Sequence, residues 1–314
     1  MPITPVEKIW MDGELVDWDQ ARVHVLTHAL HYGSGLFEGI RAYETPKGPG
    51  IFRLTDHIER LFQSAQVYMI EIPYSVEQLV HAAKDVVRVN GLKSCYVRPL
   101  VFHGYGEMGL NPLPAPVNVS VAAWPWGTYL GDDCLENGAR LIISSWRRPD
   151  PNVLPAQAKA TGQYINSGLA KVEALKAGYD DAIMLSQDGH VAEGTGENLF
   201  LVRDGVLITP PESSGVLKGI TRDSAIRIAT DLDLEVTERK LVRSDVYTAD
   251  EAFLTGTAAE VTPIREVDDR PIGTGSIGPV VERLQELYFK AARGGWDEYS
   301  GWTVAVEVAE GARR

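Results

Sequence analysis

A single lysine among small residues places the tightest constraint on this chain. Ala158, Ala160 and Gly162 keep the walls around Lys159 low, so a flat ring could lie against the backbone there. The phenol of Tyr164, five residues later, could reach the same ring. A lysine amine can attach a carbonyl compound as an imine. The pattern is compatible with a site for a flat carbonyl cofactor, within the segment Pro155-Ala156-Gln157-Ala158-Lys159-Ala160-Thr161-Gly162-Gln163-Tyr164. Lysines are usually solvated surface charges, so alone it leaves a surface lysine open as the alternative.

The composition indicates a globular protein without a polyanionic partner. A chain of 314 residues, 44% hydrophobic and 23% charged, suits two domains that each bury a core. The formal net charge of −13 argues against nucleic-acid binding, which needs a basic surface. The basic residues are scattered, and no apolar run approaches the roughly 18 residues that a membrane span needs. We expect neither a nucleic-acid partner nor a membrane partner.

The cysteines and the first residues indicate a compartment. Cys95 and Cys134 form neither a CxxC motif nor the pattern of a secreted disulfide framework. A reducing interior is the simplest interpretation. The start of the sequence lacks a charged region followed by an apolar stretch, so no signal peptide is expected. The prediction is a cytoplasmic protein.

Local patterns predict short strands and helices first, and alternating strands and helices afterwards. The first predicted elements are a hairpin over Ile9–Val16, turned at Asp12-Gly13, and a helix from Asp56, capped by Thr55 or by Asp56 itself. A second helix is predicted to begin after Ser75, with Gln78 completing a capping box, and to end near Gly91. Strands over Tyr96–Phe102 and Val117–Trp124 follow, joined by a long loop over His103–Pro116. The later elements are strands over Arg140–Trp146, Asp181–Leu185 and Ala252–Thr255, turns at Asp188-Gly189 and Asp204-Gly205, and helices over Tyr164–Ala177, after Thr221 to about Leu232, and over Pro279–Ala292.

An anion site is predicted at the start of one helix. Gly219-Ile220-Thr221-Arg222 precedes a segment with apolar residues at helical spacing, so Thr221 is a natural N-cap. Exposed N–H groups and the helix dipole attract an anion there. Such helix starts are common and most bind nothing, so this pattern leaves a purely structural role open.

A carboxylate site is predicted on one strand. Tyr96 and Arg98 are two residues apart, so both side chains point to one face. The arginine could bind a substrate carboxylate through two hydrogen bonds, and the phenol could add a third. The alternative is a strand face with two half-exposed side chains and no ligand.

Several segments, in their order and spacing, carry a family resemblance. Together they resemble the class IV pyridoxal-phosphate aminotransferases, fold type IV, and within them the branched-chain amino acid aminotransferases. The resemblance runs from about Ile9 to Phe289, nearly the whole chain. It depends on the lysine segment above and on His31-Tyr32-Gly33-Ser34-Gly35-Leu36-Phe37-Glu38-Gly39-Ile40-Arg41, Tyr96-Val97-Arg98-Pro99-Leu100, Glu193-Gly194-Thr195-Gly196-Glu197-Asn198-Leu199-Phe200, Leu217-Lys218-Gly219-Ile220-Thr221-Arg222 and Thr255-Gly256-Thr257-Ala258-Ala259-Glu260.

The resemblance implies an α/β (α+β) fold in two domains with the cofactor between them. The small N-terminal α/β domain would span residues 1–126, a connecting loop residues 127–135, and a larger domain with a barrel-like sheet residues 136–314. It also implies self-association, as a homodimer or as a hexamer that is a trimer of dimers. The loop around Met108 and Leu110 would complete the site across the dimer interface.

The resemblance also implies site residues. Lys159 would hold pyridoxal 5'-phosphate and move the proton, and Glu193 would face the pyridine nitrogen, which works best when protonated. Arg60, on the polar side of its helix, would bind the phosphate. The implied cofactor residues are Lys159, Glu193, Tyr164, Arg60, Ile220, Thr221, Thr257, Leu217 and Gly196. The implied substrate residues are Tyr96, Arg98, Phe37, Tyr32, Gly39, Trp126, Tyr129, Met108, Leu110 and Ala258.

The predicted reaction is transamination of leucine, isoleucine and valine with 2-oxoglutarate, the activity of EC 2.6.1.42. The nearest alternative is another class IV enzyme: a D-amino acid or (R)-amine transaminase, or an aminodeoxychorismate lyase. A non-catalytic protein that kept the fold is a more distant one. A metal hydrolase built on His24, His28 and His31 is rejected, because their surroundings alternate like a strand and lack a carboxylate or cysteine at ligand spacing. Lys218 departs from the family, where a proline is common, and either adds a cation near the phosphate or faces solvent.

Overall fold

The computed structural model describes residues 3–307, which form two compact units. The first unit holds the residues up to Trp126, the segment Ala158–Gly162 and the residues from Lys290 onward. The second holds Gly127–Gln157 and Gln163–Phe289. The short segment that carries Lys159 and the C-terminal segment thus belong to the first unit by their contacts, whereas the predicted domain boundaries put both in the larger domain.

The first unit is built on one sheet of eight strands: β1 (Lys8–Met11), β2 (Glu14–Asp17), β3 (Gly35–Phe37), β4 (Ile40–Thr45), β5 (Gly48–Phe52), β6 (Cys95–His103), β7 (Val117–Trp124) and β17 (Thr303–Ala305). Their order in the sheet is β17-β5-β4-β6-β7-β1-β2, with β3 paired to β6. The predicted hairpin at Asp12-Gly13 is confirmed, because both residues have the positive φ that its tight turn requires. The predicted strands at β6 and β7 are confirmed as well.

A proline divides one edge of β6. Along its other edge β6 pairs with β7 over most of its length. On the divided edge it pairs first with β4 and then, beyond Pro99, with β3. The Pro99 carbonyl accepts from the Glu38 N–H (2.9 Å), so the N–H that proline lacks would have pointed to this same edge. The interruption leaves Glu38 and Gly39 between two short strands at the centre of the sheet.

Three helices belong to the first unit: α1 (His28–Tyr32), α2 (Leu54–Val67) and α3 (Val76–Val89). The capping box of Ser75 and Gln78 before α3 is confirmed. The predicted cap of α2 is wrong, because α2 begins two residues earlier and Arg53, in the left-handed region, is its N-cap. Asp56 instead accepts from Arg53 Nε at 2.6 Å. The chain around His24 forms no strand, contrary to prediction.

The second unit is built on a nine-stranded sheet. Its strands are β8 (Ala139–Arg147), β9 (Asp181–Leu185), β10 (Val191–Glu193), β11 (Asn198–Arg203), β12 (Val206–Thr209), β13 (Val236–Glu238), β14 (Glu251–Gly256), β15 (Glu260–Val267) and β16 (Arg270–Pro271). They lie in the order β10-β9-β8-β15-β14-β11-β12-β13, with β16 paired to β15. This sheet curls into a half-barrel, as predicted for the larger domain.

The remaining helices are α4 (Asp132–Asn137), α5 (Tyr164–Lys176), α6 (Ile220–Asp231), α7 (Arg243–Tyr247) and α8 (Pro279–Ala292). The predicted bounds of α8 are confirmed, and α5 ends one residue before the predicted position. The prediction for α6 is wrong at its start. Gly219 is the N-cap and Thr221 lies in the first turn. A side chain at Gly219 would lie 2.0 Å from Asn198 Oδ1, so only glycine fits at this cap.

Each unit has its own apolar core. In the first, one face of the sheet packs against α2 and α3 through residues such as Ile58, Leu61 and Val86. In the second, the core lies inside the curled sheet and includes Leu141, Ile183 and Leu254. Truncating such a residue to alanine costs about 2–5 kcal/mol of stability. Among the described residues, the helices are too short or too polar to cross a bilayer.

Candidate active site

Lys159 is held in the first unit by its backbone. Its N–H donates to Ser64 Oγ on α2 (3.1 Å), and its carbonyl accepts from the Phe37 N–H at the end of β3 (3.1 Å). The Nζ atom lies 5.1 Å from the centroid of the Phe37 ring. The small residues beside the lysine allow close backbone packing, since a side chain at Gly33 would come within 2.7 Å of Gly162 Cα. Two elements of the fold thus fix the position of the amine.

Next to Phe37, the buried carboxylate of Glu38 organises two neighbours on α2. It accepts from Arg60 Nε (2.8 Å) and Nη2 (2.7 Å), and from His57 Nδ1 (2.7 Å). Burial would raise the pKa of Glu38, but the Arg60 charge and these hydrogen bonds outweigh it and hold the pKa well below its usual range. The predicted placement of Arg60 on a polar helix face is wrong, because the side chain is buried against Glu38.

His57 completes this group as a neutral ring. Burial lowers its pKa despite the hydrogen bond to Glu38, and the charges of Arg60 and Lys159 lower it further. The Nδ1 atom therefore carries the hydrogen that is donated to Glu38. The guanidinium of Arg60 is fixed in one plane by its two bonds to the same carboxylate.

Arg98 lies among aromatic rings rather than beside an acid. Its guanidinium carbon is 4.6 Å from the centroid of Phe37, 5.2 Å from that of Tyr96 and 6.0 Å from that of Trp124. Its Nη2 is 3.4 Å from the Tyr96 hydroxyl, and its buried Nε has no hydrogen-bond partner among the residues that the structure describes. Within residues 3–307 no carboxylate lies at ion-pair distance from Arg98. A cation in this state is suited to an incoming carboxylate.

The other predicted substrate residues of this region meet at Tyr96. A side chain at Gly39 would lie 1.8 Å from the Tyr96 hydroxyl, so only glycine leaves room for it. The ring of Trp126 meets the Tyr96 ring edge to face, with centroids 4.3 Å apart. Gly39, Tyr96, Arg98, Phe37 and Trp126 are thus brought together in the first unit, with Lys159 on the same Phe37 ring.

Tyr32, Met108 and Leu110 form a second group in the first unit. The Tyr32 hydroxyl donates to the Met108 carbonyl (3.1 Å), which ties α1 to the loop between β6 and β7. Leu110 is 85% exposed and Met108 38%, although both are apolar. The loop therefore offers an apolar tip that the first unit itself does not cover.

Glu193 is the centre of a hydrogen-bonded network in the second unit. It forms an ion pair with Arg148, 2.9 Å from Oε1 to Nη2, with both side chains less than a tenth exposed. The other oxygen, Oε2, accepts from the Leu217 N–H (3.0 Å) and from Asn198 Nδ2 (3.3 Å). The carboxylate is thus paired, oriented and held at the end of β10.

A second buried acid, Glu197, follows four residues later. It accepts from the Gly196 N–H at 2.9 Å. Burial, and next the charge of Asp181, raise its pKa to about 8, although Lys171 opposes this. Asp181 is itself bonded to Lys171, to the Thr195 hydroxyl and to the Ala182 N–H. Near neutral pH a protonated Glu197 therefore shares this end of the half-barrel with two acids that have cationic partners.

Those predicted phosphate residues that belong to the second unit lie close to this network. Thr221 is buried in the first turn of α6, whose leading N–H groups start at Ile220. Gly256 ends β14 so close to Glu197 that a side chain there would meet Glu197 Cγ at 3.3 Å. Thr257 and Ala258 form the turn that follows. The structure thus gathers the helix start, Gly196, Leu217 and this turn around Glu193 and Asn198.

Three remaining residues have other surroundings. The Tyr129 ring lies under Lys171 Nζ at 5.0 Å, in the segment that follows Trp126. Tyr164 begins α5 and is half-buried. Lys218 forms an ion pair with Glu212 at 2.9 Å and is largely exposed.

The sequence interpretation missed the residues that hold the site in place. Arg148, Asn198, Glu38 and His57 had no assigned role, yet each binds a predicted site residue or its immediate partner. The available signals were the arginine directly after β8, and the acid and amide inside the quoted motifs. The three histidines form no metal cluster, and no group of three ligand residues occurs in the described part of the chain.

Comparison with known proteins identifies the family of this chain. The family "Amino-transferase class IV" matches residues 35–267. A branched-chain-amino-acid aminotransferase of Pseudomonas aeruginosa is 49% identical over 95% of this chain and 97% of its own length. A T.th. branched-chain amino acid aminotransferase with pyridoxamine 5'-phosphate has a TM-score of 0.94 and 54% identity, and covers 98% of this chain and 100% of its own. A structure of the T.th. enzyme complexed with 4-methylvaleric acid has a TM-score of 0.91 and 53% identity, over 96% and 99%.

Proposed function

The chain belongs to the class IV aminotransferases, and on this basis we propose that it transfers the amino group of branched-chain L-amino acids to 2-oxoglutarate. The observation that carries the proposal is Arg98, a cation among aromatic rings that shares Phe37 with the Lys159 amine. An α-amino acid needs such a pair: a cation for the carboxylate, and an amine near the α-carbon. The relatives named above are branched-chain aminotransferases, and this chain matches them over nearly their whole length.

The residues fit pyridoxal phosphate, the cofactor of this family. When bound, pyridoxal phosphate supplies an electron sink for the pair released at the substrate's α-carbon. We assign its attachment to Lys159 and its pyridine nitrogen to Glu193, which favours a protonated nitrogen. We assign its phosphate to Arg60, Ile220, Thr221 and Thr257, since helix-start N–H groups, hydroxyls and a guanidinium suit an anion. Tyr164, Leu217 and Gly196 complete the assigned cofactor contacts.

Lys159 is the group that moves the proton. With the cofactor bound, the Lys159 amine would take the proton from the substrate's α-carbon and return it at the C4′ carbon. Phe37 limits the directions that the amine can take, because its ring lies along one side of Nζ. Arg148 keeps the Glu193 carboxylate in place, where it would pair with the pyridine nitrogen.

The substrate is held by its two ends. Arg98 and the Tyr96 hydroxyl bind the carboxylate, and Gly39 leaves room for it. We assign the side chain to apolar groups: Phe37, Trp126, Tyr32, Tyr129, Met108, Leu110 and Ala258. Such a pocket separates side chains that differ by one methylene by only about 1–3 kcal/mol. Leucine, isoleucine and valine are therefore all expected as substrates.

An amino-donor panel tests this function. Purified protein with pyridoxal phosphate and 2-oxoglutarate is given L-leucine, L-isoleucine, L-valine, D-alanine, (R)-1-phenylethylamine or aminodeoxychorismate. The expected result is glutamate formation with the three branched-chain donors at rates well above the others. If the branched-chain donors are inert while another compound reacts, the proposal is wrong and the alternative class IV activity replaces it.

We further propose self-association and a cytoplasmic location. The first unit exposes Leu30 (63%) and Val23 (46%) along an apolar groove of about 340 Å³ that Ile9, Met11 and Phe102 also line. Apolar surface of this kind supports a homodimer, or a trimer of dimers. Both cysteines are free and buried, which fits a reducing compartment. Light scattering after gel filtration measures the molar mass in solution and so tests self-association. The mass of a monomer would contradict this proposal.

A further inference from the structure

The imidazole of His28 joins α1 to the long loop between β6 and β7. His28 is 1% exposed, and its Nε2 lies 2.8 Å from the Gly109 carbonyl. Its Nδ1 lies 2.7 Å from the hydroxyl of Ser34, beyond the end of α1. Its backbone N–H donates to the Gly104 carbonyl at 3.0 Å. One residue therefore contacts the loop both at its start and near its tip.

The chemistry of the two partners assigns the hydrogen on the ring. A carbonyl oxygen only accepts, so Nε2 must carry the hydrogen that bonds to Gly109. In the neutral ring Nδ1 is then an acceptor, and the Ser34 hydroxyl donates to it. Both ring nitrogens are used, and the ring can neither flip nor change tautomer without losing a bond.

The bond to Gly109 acts on the residues of the loop tip. Met108 and Leu110 flank Gly109, and the Met108 carbonyl is bonded to Tyr32, one turn along α1 from His28. The His28 and Tyr32 rings lie against each other, with centroids 4.7 Å apart. Two consecutive loop carbonyls are thus held from one face of α1. The loop is rich in Gly and Pro and has little regular structure of its own, so these side-chain bonds define its tip.

We propose that His28 is a positioning residue for substrate recognition: it fixes the backbone at Gly109, so that Met108 and Leu110 present a preformed apolar surface to the substrate side chain. This rests on the proposed function only in that these two residues contact the substrate. His28 acts through the loop and takes no part in proton transfer. Losing it should weaken binding of large apolar side chains while the chemical step and the cofactor are retained.

The test compares His28→Leu, His28→Gln and Ser34→Ala with a control on the same helix, His31→Leu. His31 is exposed, and its Nε2 bonds a nearby carbonyl, that of Val25. For His28→Leu we expect the KM for L-leucine to rise about tenfold, the effect of one lost buried hydrogen bond, with kcat within about twofold. His28→Gln keeps a donor at similar reach and should recover part of the affinity. Ser34→Ala should raise KM by about threefold, a weaker effect of the same kind, and His31→Leu should have no effect.

A second measurement does not depend on catalysis. The loop amides of Leu113 and Ala115 donate to Asn111 Oδ1 (3.2 Å) and to the Pro112 carbonyl (2.9 Å). Their hydrogen exchange should become faster in His28→Leu and Ser34→Ala, and remain unchanged in His31→Leu. An unchanged KM for leucine, or a fall in kcat that is equal for all substrates, overturns the proposal. If the wild-type protein does not use leucine, the proposed function fails, and the exchange rates still decide whether His28 holds the loop.

Discussion

Arg148 donates from Nη2 to Glu193 Oε1 over 2.9 Å, in a place where both side chains are more than nine-tenths buried. Such a pair is costly to desolvate, and removing one partner leaves a buried charge at a cost of about 3–5 kcal/mol. The carboxylate also accepts from Leu217 and Asn198. Three protein donors therefore hold the Glu193 carboxylate in position before any ligand binds.

Replacing Arg148 by glutamine should weaken cofactor binding and slow turnover. Without the guanidinium, Glu193 Oε1 loses its cationic partner while Oε2 keeps its bonds to Leu217 and Asn198, so the carboxylate is less firmly oriented. The kcat should fall by about 10- to 100-fold, as for other groups that orient a ligand-binding residue. Titration of the apoprotein with pyridoxal phosphate, followed by its absorption band, measures the loss of affinity. Arg147→Gln is the matched control, since the side chain of this exposed neighbour bonds the Gln187 carbonyl. Equal behaviour of the two variants would refute the role of Arg148.

Lys159→Ala should abolish covalent attachment of the cofactor. Borohydride reduction of the wild-type protein should fix the cofactor on Lys159, as read by peptide mass spectrometry, and the variant should remain unmodified. Turnover should fall by at least about 10²–10⁴, the usual effect of losing an acid–base group. Lys176→Ala, on the exposed end of α5, should retain both properties. Labelling of another lysine in the wild-type protein would contradict the assignment.

Gly39→Ala should impair carboxylate binding. The new methyl group would lie 1.8 Å from the Tyr96 hydroxyl, and Tyr96 must then move away from Arg98. We expect the KM values of both leucine and 2-oxoglutarate to rise by at least about tenfold, the effect of one lost charged hydrogen bond. Gly168→Ala on α5 is the control, because nothing described lies within 4 Å of its added methyl. Unchanged KM values in Gly39→Ala would show that this clash does not govern the site.

Glu38→Gln should make the stability of the protein less sensitive to acid, and it should weaken phosphate binding. The folded protein holds the pKa of Glu38 below its unfolded value, so its stabilisation is present above that value and is lost as the pH falls. The variant should be less stable at neutral pH, and its melting temperature should fall less on acidification. Inorganic phosphate should protect the variant less than the wild type, because Arg60 is no longer held in one plane. A melting curve with the same pH dependence as the wild type would contradict this.

Glu197→Gln should flatten the pH dependence of stability on the alkaline side. Its folded pKa, about 8, lies above the unfolded value, so between these values the folded chain keeps a proton that the unfolded chain has released. The wild-type protein therefore loses stability as the pH rises from about 4.5 to 8, whereas the amide has no proton to lose. Melting temperatures at the two ends of this range measure the loss, with the exposed Glu282→Gln as control. An equal decline in Glu197→Gln and wild type would exclude Glu197 as the cause.

Features set by neighbouring residues could be predicted from the sequence. The turn at Asp12-Gly13, the capping box of Ser75 and Gln78 and the bounds of α8 depend on contacts a few residues apart, and all are confirmed. The segments that carry the family resemblance also contain most residues of the cluster around Phe37 and of the network around Glu193.

Features decided by distant residues could not be predicted. Arg60 has the helical position of a surface residue, and the buried Glu38 carboxylate that pairs with it comes from the sheet, 22 residues earlier. Gly219 rather than Thr221 caps α6, and the residue must be a glycine because Asn198 occupies the space where a side chain would lie. Arg148 follows a strand without any local sign that Glu193, far along the chain, ends beside it.

Pro99 has a consequence for how a charge can be kept inside a β-sheet. Glu38 lies opposite Pro99 in the same register that pairs β3 and β4 with β6, so the proline costs this edge a single backbone hydrogen bond. The Glu38 side chain leaves the sheet through its face, as any strand side chain does, and reaches His57 and Arg60 on α2. The buried charge is therefore held by partners on the helix, and the chain that carries it keeps its pairing on both sides of the proline.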